Sequence, residues 1–465
     1  MPGIVTYGTY VPYNRLQRSK IGAALGSGGG PGTRAVASFD EDTTTLGVEA
    51  ARRCLRGTDV TPEALYFASA VPAYADKSNA TAIHAALDLP SSVFAVDECG
   101  SPKSGIAAVG NAYWRRGPAL AVCADIRVGL PGGADERDGG DAAAALLLDD
   151  GPGIAELIAH ASATGEFLDR WRVPGAKTSK VWEERFGESK YVPLAQEAMA
   201  AALKQVDMTA DQLDVVIVTG LAARAVRSAA RGTGVAPEKL ADDLSATVGN
   251  TGTAHPWLML ANVLDQAEPG QTIGVVILAD GAEAIIFRTT DAIADHQSAE
   301  TVAQQVAAGN DGLDYQKYLT WRGLLDREPP RRPDPERPAA PPSSRSEHWK
   351  FGFVGSRDRS SGAIHLPPMR VSMKGGAVDD MEPIRMADVP ATIATFTVDR
   401  LAFSLSPPVV AAVIDFDGGG RFQSEVTDVD PADVKIGMRV EMTFRKLFEA
   451  DGVQNYFWKA KPIRG

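Results

Sequence analysis

The sequence predicts an α/β protein as far as about residue 290, followed by a small all-β domain. Three observations carry this. Apolar runs of strand length alternate with stretches of helical spacing through the first part, the order expected of a largely covered sheet. At Glu328 the composition breaks into EPPRRPDPERPAAPPSSRS, an extended Pro-rich linker with little capacity to build a core. Beyond it, five short β-rich runs separated by Gly and Asp turns suit a small barrel.

Each element follows from its residues. Residues 4–10 alternate as a strand. The stretch SGGGPGTR, from Ser27 to Arg34, is a surface loop; no Lys-Ser/Thr follows it, so it lacks the mark of a P-loop. Over 43–55, Leu46, Val48, Ala50, Ala51 and Leu55 recur at helical spacing. A strand at 65–70, a helix at 79–87 and a buried strand at 120–125 come next. The run GGDAAAALLL at 139–148 is a further buried segment, strand or helix. A strand covers 154–163. The charged and aromatic stretch 167–191 reads as an irregular excursion, and 193–206 as a helix with an Ala-rich face. A β-branched strand at 215–218 leads into an Ala/Arg helix from Ala222. TVGNTGTA at 247–254 turns into a helix over 257–266. Strands at 272–278 and 284–287 are split by Ala279-Asp280-Gly281. The runs before and after about residue 160 are candidate duplicated halves, although no sequence identity links them. Residues 313–325 form an amphipathic helix with Tyr315, Tyr318, Leu319, Trp321 and Leu324, serving its own domain or another subunit. The last strands are 391–401, 409–416, 419–429, 438–447 and 453–461. The expected division is a first domain at 1–295, a helical and Pro-rich connector at 296–345, and a second domain at 346–465.

At 465 residues the chain exceeds one ordinary core. Charged residues at 23% and hydrophobic residues at 44% describe a soluble globular protein. A net charge of -12 argues against a nucleic-acid partner, which would select a basic face. Cys54, Cys99 and Cys123 are an odd, sparse set, which points to a reducing compartment and no disulfide framework. The opening MPGIVTYGTYVPYNRL lacks the long apolar run of a signal peptide or membrane span. The expectation is a cytoplasmic protein without membrane contact.

Function turns on residues 97–110, DECGSPKSGIAAVG. Val93-Phe94-Ala95-Val96 reads as a strand, followed by a tight turn and a helix opening on Pro102-Lys103-Ser104-Gly105. Strand, sharp turn and helix N-terminus make the layout of a nucleophile elbow. Backbone N–H groups there suit a thioester oxygen or an anion. Pro102 holds the turn position from which an attacking side chain would project. Proline has no nucleophilic atom, yet it is comfortable at a first helical position. Ser101 is placed to cap the helix. Cys99 lies on the strand approach, where cysteine is ordinarily packing. His255 opens a helix after Asn250, and His84 lies on a helix among alanines; both read as structural.

The stretches GIVTYGTYVPYNRL, FDEDTTTLGVEAARRCL, VWEERFGESKY and GNTGTAHPWLMLANVLDQAEPGQTIGVV, in this order, resemble the hydroxymethylglutaryl-CoA synthase branch of the thiolase superfamily. EPPRRP, WKFGFVG, HLPPMR and the closing YFWKAKP resemble the OB-fold proteins of the DUF35 family, which accompany thiolases. The first resemblance implies a five-layer αβαβα thiolase-like fold, a CoA thioester ligand, dimerisation, and a Glu, Cys and His set. Condensation needs a thiolate to take the acyl group, a base to make the carbanion and a polar cradle for the oxyanion. By the family's motifs the Cys falls on Pro102, with Gly105 as the elbow glycine. The acid of a Ser-Glu pair falls on Ala70, after Ser69, and the His falls on Thr219. Gly249-Asn250 is intact. The resemblance therefore implies no confident catalytic residue, and substrate binding by Ser101, Gly249 and Asn250.

The second resemblance implies a zinc ribbon, whose Cys positions here hold Asp358, Ser361, Ser372 and Gly375, with Gly362 kept. One carboxylate with hydroxyls is a poor zinc site, so neither zinc nor any tightly bound cofactor is expected. Three functions are open on this basis. The leading one is a non-catalytic subunit that binds acyl-CoA and supports a separate thiolase subunit, as a homodimer or hetero-oligomer. The second is an active acyltransferase or lyase with a non-cysteine mechanism, using Asp97, Ser101, Thr219 and Asn250. The third is an acyl-CoA binding or scaffold protein. Arg34, Arg52, Lys77, Lys103 and Arg224 are the charges on offer to CoA phosphates.

Overall fold

The structure is a computed structural model that describes residues 2–464 apart from 332 and 334. The chain divides into two compact units. One contains the residues up to Ala37, Glu49–Ala80 and Ser91–Tyr315; the other contains Ser38–Val48, Thr81–Pro90 and the chain from Gln316 onward. Among the described residues no helix is long and apolar enough to cross a membrane.

The first unit is built on strands β1 (Gly3–Tyr10), β2 (Ala64–Ser69), β3 (Phe94–Cys99), β4 (Ala119–Ile126), β5 (Asp141–Asp149), β6 (Ala155–Thr164), β7 (Val215–Gly220), β8 (Thr272–Leu278) and β9 (Gly281–Thr289). They lie in the order β7-β8-β9-β6-β1-β5-β4-β2-β3. Each half repeats one plan. Counted along its own half, the first five strands run 3-2-4-5-1. The second half runs 2-4-5-1, with Leu240 bridging Val216 in parallel where its third strand belongs. The directions match as well: β2 is parallel to β4 as β7 is to β8, and β4–β5 and β8–β9 are both antiparallel. The duplication is thus carried by topology. It leaves no sequence identity because a strand's place requires only an apolar pattern, such as the fully buried TIGVVIL of β8.

Helices fill the remaining layers. The helices α3 (Ser104–Trp114) and α6 (His255–Leu264) share one core with Tyr66, Ala121 and Leu146 of the first half and with Ile217, Val275 and Ile285 of the second. The opposite face of the second half, with Val216, Val218, Val276 and Ile286, packs on α4 (Glu184–Gln205) and α5 (Ala223–Gly232). On the outer face of β1 lies α1 (Thr43–Leu55), whose Ala50 carbonyl would sit 2.5 Å from a Cβ on Gly8. Alternate residues of β7 and β8 therefore enter different cores, as a period of two demands. This is the αβαβα arrangement.

Some element bounds differ from the expectations. The excursion expected at 167–191 is partly helical, because α4 begins at Glu184 and runs through Pro193. Gly187, Tyr191, Ala195, Ala198, Met199 and Ala202 form one continuous buried stripe. That burial outweighs the single backbone hydrogen bond that proline removes. α3 starts at Ser104 rather than at Pro102, which stays in the preceding turn. The helix expected over 313–325 shortens to α7 (Tyr315–Trp321), since Gly323 takes a positive φ of 62°. The Pro-rich linker includes one short helix, α8 (Ala340–Arg345), with proline in its first turn.

In the second unit, β13 (Ala391–Asp399), β14 (Val409–Phe416), β15 (Arg421–Val426), β16 (Arg439–Ala450) and β17 (Val453–Pro462) close a barrel in the order β13-β14-β15-β17-β16. Ile393, Ala412, Ile414, Val440, Met442 and Trp458 lie in its buried interior. Three strands absent from the sequence reading precede it: β10 (Val354–Asp358), β11 (Ile364–His365) and β12 (Met381–Arg385). They are short and half-exposed, so no apolar period announces them.

Arg445, with no exposure, meets Asp40 at 3.3 Å, Glu41 at 2.8 Å and Asp428 at 2.5 Å. Lys459 meets Asp40 at 3.0 Å and Glu425 at 2.8 Å. The Ser38–Val48 segment is thereby held to the barrel by charges far apart in the chain.

Candidate functional site

The carboxyl ends of β2, β4 and β7 meet the start of α3, the place where α/β sheets bind ligands. At the centre is Asp125, at the end of β4 and without exposure. Its oxygens accept the Ala70 N–H at 2.7 Å, the Ser69 hydroxyl at 3.1 Å and the Thr253 N–H at 2.8 Å. Burial pushes its pKa up, against Arg127 and these three donors, which pull it down. Thr253 in turn borders α3, for a Cβ on Gly105 would stand 2.5 Å from its carbonyl oxygen. The elbow, the β2 end and the turn after Asn250 are thus locked together through two contacts.

Asn250 ties in the fourth part. Its side-chain N–H donates to the Gly220 carbonyl at 2.9 Å, and its Oδ1 accepts the Gly252 N–H at 3.0 Å. One amide hydrogen is left for a ligand. Gly249 has a backbone role: its φ is 85°, and a Cβ would lie 2.5 Å from the Gly139 carbonyl. Thr219, adjacent to Gly220 at the end of β7, is buried.

A cavity of about 500 Å³ opens beside this frame. Asn250, Gly220, Gly139 and Arg127 line it, and Arg137, Arg170, Arg224 and Arg227 add further positive charge. Ala70, Pro102 and Thr219 are not among its lining residues. Of the five cations named from the sequence, only Arg224 lines the cavity. Arg34 is spent on Asp141 and on the Glu136 and Arg127 carbonyls, Arg52 on Glu49, and Lys103 on Glu283 at 3.2 Å. Lys77 donates to the Ser78 carbonyl. Arg127 and Arg170 went unnoticed in the sequence. The available signal was a cation directly after the apolar strand LAVCADI.

The other polar candidates have local work. Asp97 accepts the N–H groups of Asn79 and Ala80, each at 2.7 Å, and so starts the helix of Ala80–Ala86. Ser101 accepts the Lys103 N–H at 3.3 Å; it closes the turn before α3 and leaves the helix without a side-chain cap. Cys99 is exposed, and its thiol is pushed up to about 11 by partial burial and by Asp97, so it stays protonated at neutral pH. His255 is buried and pushed down to about 4 by desolvation. His84 bonds the Pro90 carbonyl at 3.0 Å.

In the second unit the four ribbon positions converge. The Asp358 carboxylate accepts the hydroxyls of Ser360 at 2.8 Å and of Ser361, and Ser372 also bonds it. Gly375 lies beside it, a Cβ there standing 4.0 Å from Asp358 Oδ2. The hydroxyl donors hold the carboxyl well below its ordinary range. A single carboxylate already saturated by hydroxyls does not fit a zinc ion, which takes thiolate or imidazole ligands.

Comparison with known proteins places this geometry. The family model described as the C-terminal OB-fold domain of ChsH2 matches residues 385–445. The one described as the C-terminal part of 3-oxoacyl-[acyl-carrier-protein] synthase III matches residues 203–285. The hydroxymethylglutaryl-CoA synthase of Archaeoglobus fulgidus is 30% identical over 340 residues, which cover 69% of this chain and 98% of the relative. That of Picrophilus torridus is 28% identical over 344 residues, covering 70% and 98%. Among solved structures, a hydroxymethylglutaryl-CoA synthase complexed with CoA superposes with a TM-score of 0.61 at 18% identity, over 68% of this chain and 89% of that one. The hydroxymethylglutaryl synthase of the curacin biosynthetic pathway, in complex with acetyl donor-ACP, gives 0.58 at 19% over 69% and 88%. With its duplicated halves, its Asp125–Asn250 frame and its relatives, the chain belongs to the hydroxymethylglutaryl-CoA synthase family of the thiolase superfamily and carries a C-terminal OB-fold domain.

Proposed function

We propose that this chain binds an acyl-CoA without turning it over, and that it supports a separate thiolase-like subunit in forming or cleaving C–C bonds of CoA thioesters. One observation carries the reading. The frame that would hold a thioester is built, yet the three positions assigned to nucleophile, acid and base hold Pro102, Ala70 and Thr219. None of these side chains can form an acyl-enzyme or move a proton at neutral pH. The cysteine nearest to them in sequence, Cys99, stays protonated. A solved relative holds CoA and another holds an acetyl donor-ACP, which supports a thioester as the ligand class here.

The test is an assay of acyl-CoA condensation and cleavage with the purified chain alone, and again with a thiolase-like chain that co-purifies with it. No turnover alone and restored turnover in the pair is the expected result. Robust turnover by the single chain would refute the proposal and favour a non-cysteine enzyme. Thioester binding without activation of any thiolase would favour a plain binding protein.

A further inference from the structure

The arginines around the cavity are not equivalent. Arg137 is paired with Asp138, Arg170 with Asp135 and Arg224 with Glu188. Arg127 differs. It is only 9% exposed and lines the cavity, yet among the described residues its guanidinium makes no hydrogen bond and no ion pair. Its main chain is committed: the N–H donates to Asp141 Oδ1 at 2.9 Å, and the carbonyl accepts Arg34 Nη2 at 2.8 Å. Its stem is gripped between two glycines. A Cβ on Gly139 would stand 2.9 Å from Arg127 Cβ, and one on Gly252 would stand 3.3 Å from its Cδ. Asp125 attracts it from nearby, but the Asp125 oxygens are already taken by Ala70, Ser69 and Thr253.

A desolvated cation with its fork unspent is costly to keep, and a ligand that supplies the counter-charge removes the cost. The place of Arg127 narrows the choice of anion. It flanks the Asn250–Gly252 turn, the thioester end under the reading above. The phosphates of CoA are separated from its sulfur by the whole pantetheine arm, and the exposed Arg224 and Arg227 are available to them. A second guanidinium, of Arg172, donates to the Ala70 carbonyl, so positive charge surrounds the position assigned to the acid.

We propose that Arg127 is a specificity-determining residue that binds the free carboxylate of a dicarboxylic acyl group carried as its CoA monothioester. The pair is a charge-assisted, two-pronged one, the geometry for which a guanidinium is suited. This rests on the acyl-CoA reading of the cavity.

Calorimetry of the full chain with glutaryl-CoA and with valeryl-CoA, which have the same chain length, tests it. Glutaryl-CoA is expected to bind about ten- to a hundredfold more tightly. Arg127→Gln is expected to erase that preference, to leave valeryl-CoA affinity unchanged, and to melt no lower than the parent because a buried unpaired charge is gone. Arg127→Lys keeps a cation without the fork and should retain part of the preference. Equal affinity of the parent chain for the two thioesters would overturn the inference and leave the acyl-CoA reading standing. An equal loss of both thioesters in Arg127→Gln would assign the residue to CoA phosphates and also overturn it. Binding of neither thioester would remove both readings. If the variants fail to fold, the comparison in the parent chain decides alone.

Discussion

Asn250 and His255 show how single side chains are committed in the site. Asn250 uses both ends of its amide to join the β7 end to the turn before α6. Asn250→Ala should therefore lower stability by about 1–3 kcal/mol, the cost of unpairing buried polar groups, and weaken acyl-CoA binding at the same time. Denaturant titration and calorimetry on one preparation read both effects. His255 is buried neutral, with its pKa pushed from the ordinary 6.5 to about 4. Below 6.5 the unfolded chain binds the proton more readily than the folded one. The stability His255 leaves intact above 6.5 is thus lost progressively as pH falls toward 4, by on the order of 3 kcal/mol. His255→Gln should flatten the denaturation midpoint over that interval relative to the parent chain.

The decisive contacts of the elements are equally local in space. α3 touches the Asn250 turn where Gly105 meets the Thr253 carbonyl. Gly105→Ala would force this pair apart and pull Thr253 from Asp125, at a cost of about 1–3 kcal/mol, measured as a fall in urea midpoint. The same scale shows what the amino-acid pattern reveals. α1 fills residues 43–55 because its apolar spacing has one solution. α4 overrides its own proline because burial on β6, β8 and β9 is worth more than one hydrogen bond. The strands β10 to β12 escape notice because two are half-exposed and the third has only two residues.

Across the whole molecule, chain order and spatial neighbourhood part company. Asp40 belongs with the barrel, where Arg445 and Lys459 neutralise it. Burial raises its pKa, but the two cations outweigh that and hold it at about 2. Its stabilising contribution is present above the ordinary carboxylate range and is lost as pH falls through about 2. Asp40→Asn leaves Arg445 and Lys459 short of a counter-charge and should cost about 3–5 kcal/mol. Fluorescence of the buried Trp458 during urea unfolding reports it, and an unchanged midpoint would contradict the buried network.

The residues themselves determined the alternation of strands and helices, the Pro-rich break, the barrel, the elbow and the intact Gly249-Asn250 turn. Apolar period, turn chemistry and spacing are properties of neighbouring residues, so they can be read without coordinates. Only the tertiary structure decided that the two halves share one topology, that Asp125 gathers Ala70 and Thr253, that Asp40 serves Arg445, and that Arg127 alone among the buried cavity cations has no partner. Whether a charge is spent depends on which distant side chains fold against it, and that information lies in no single stretch of the chain.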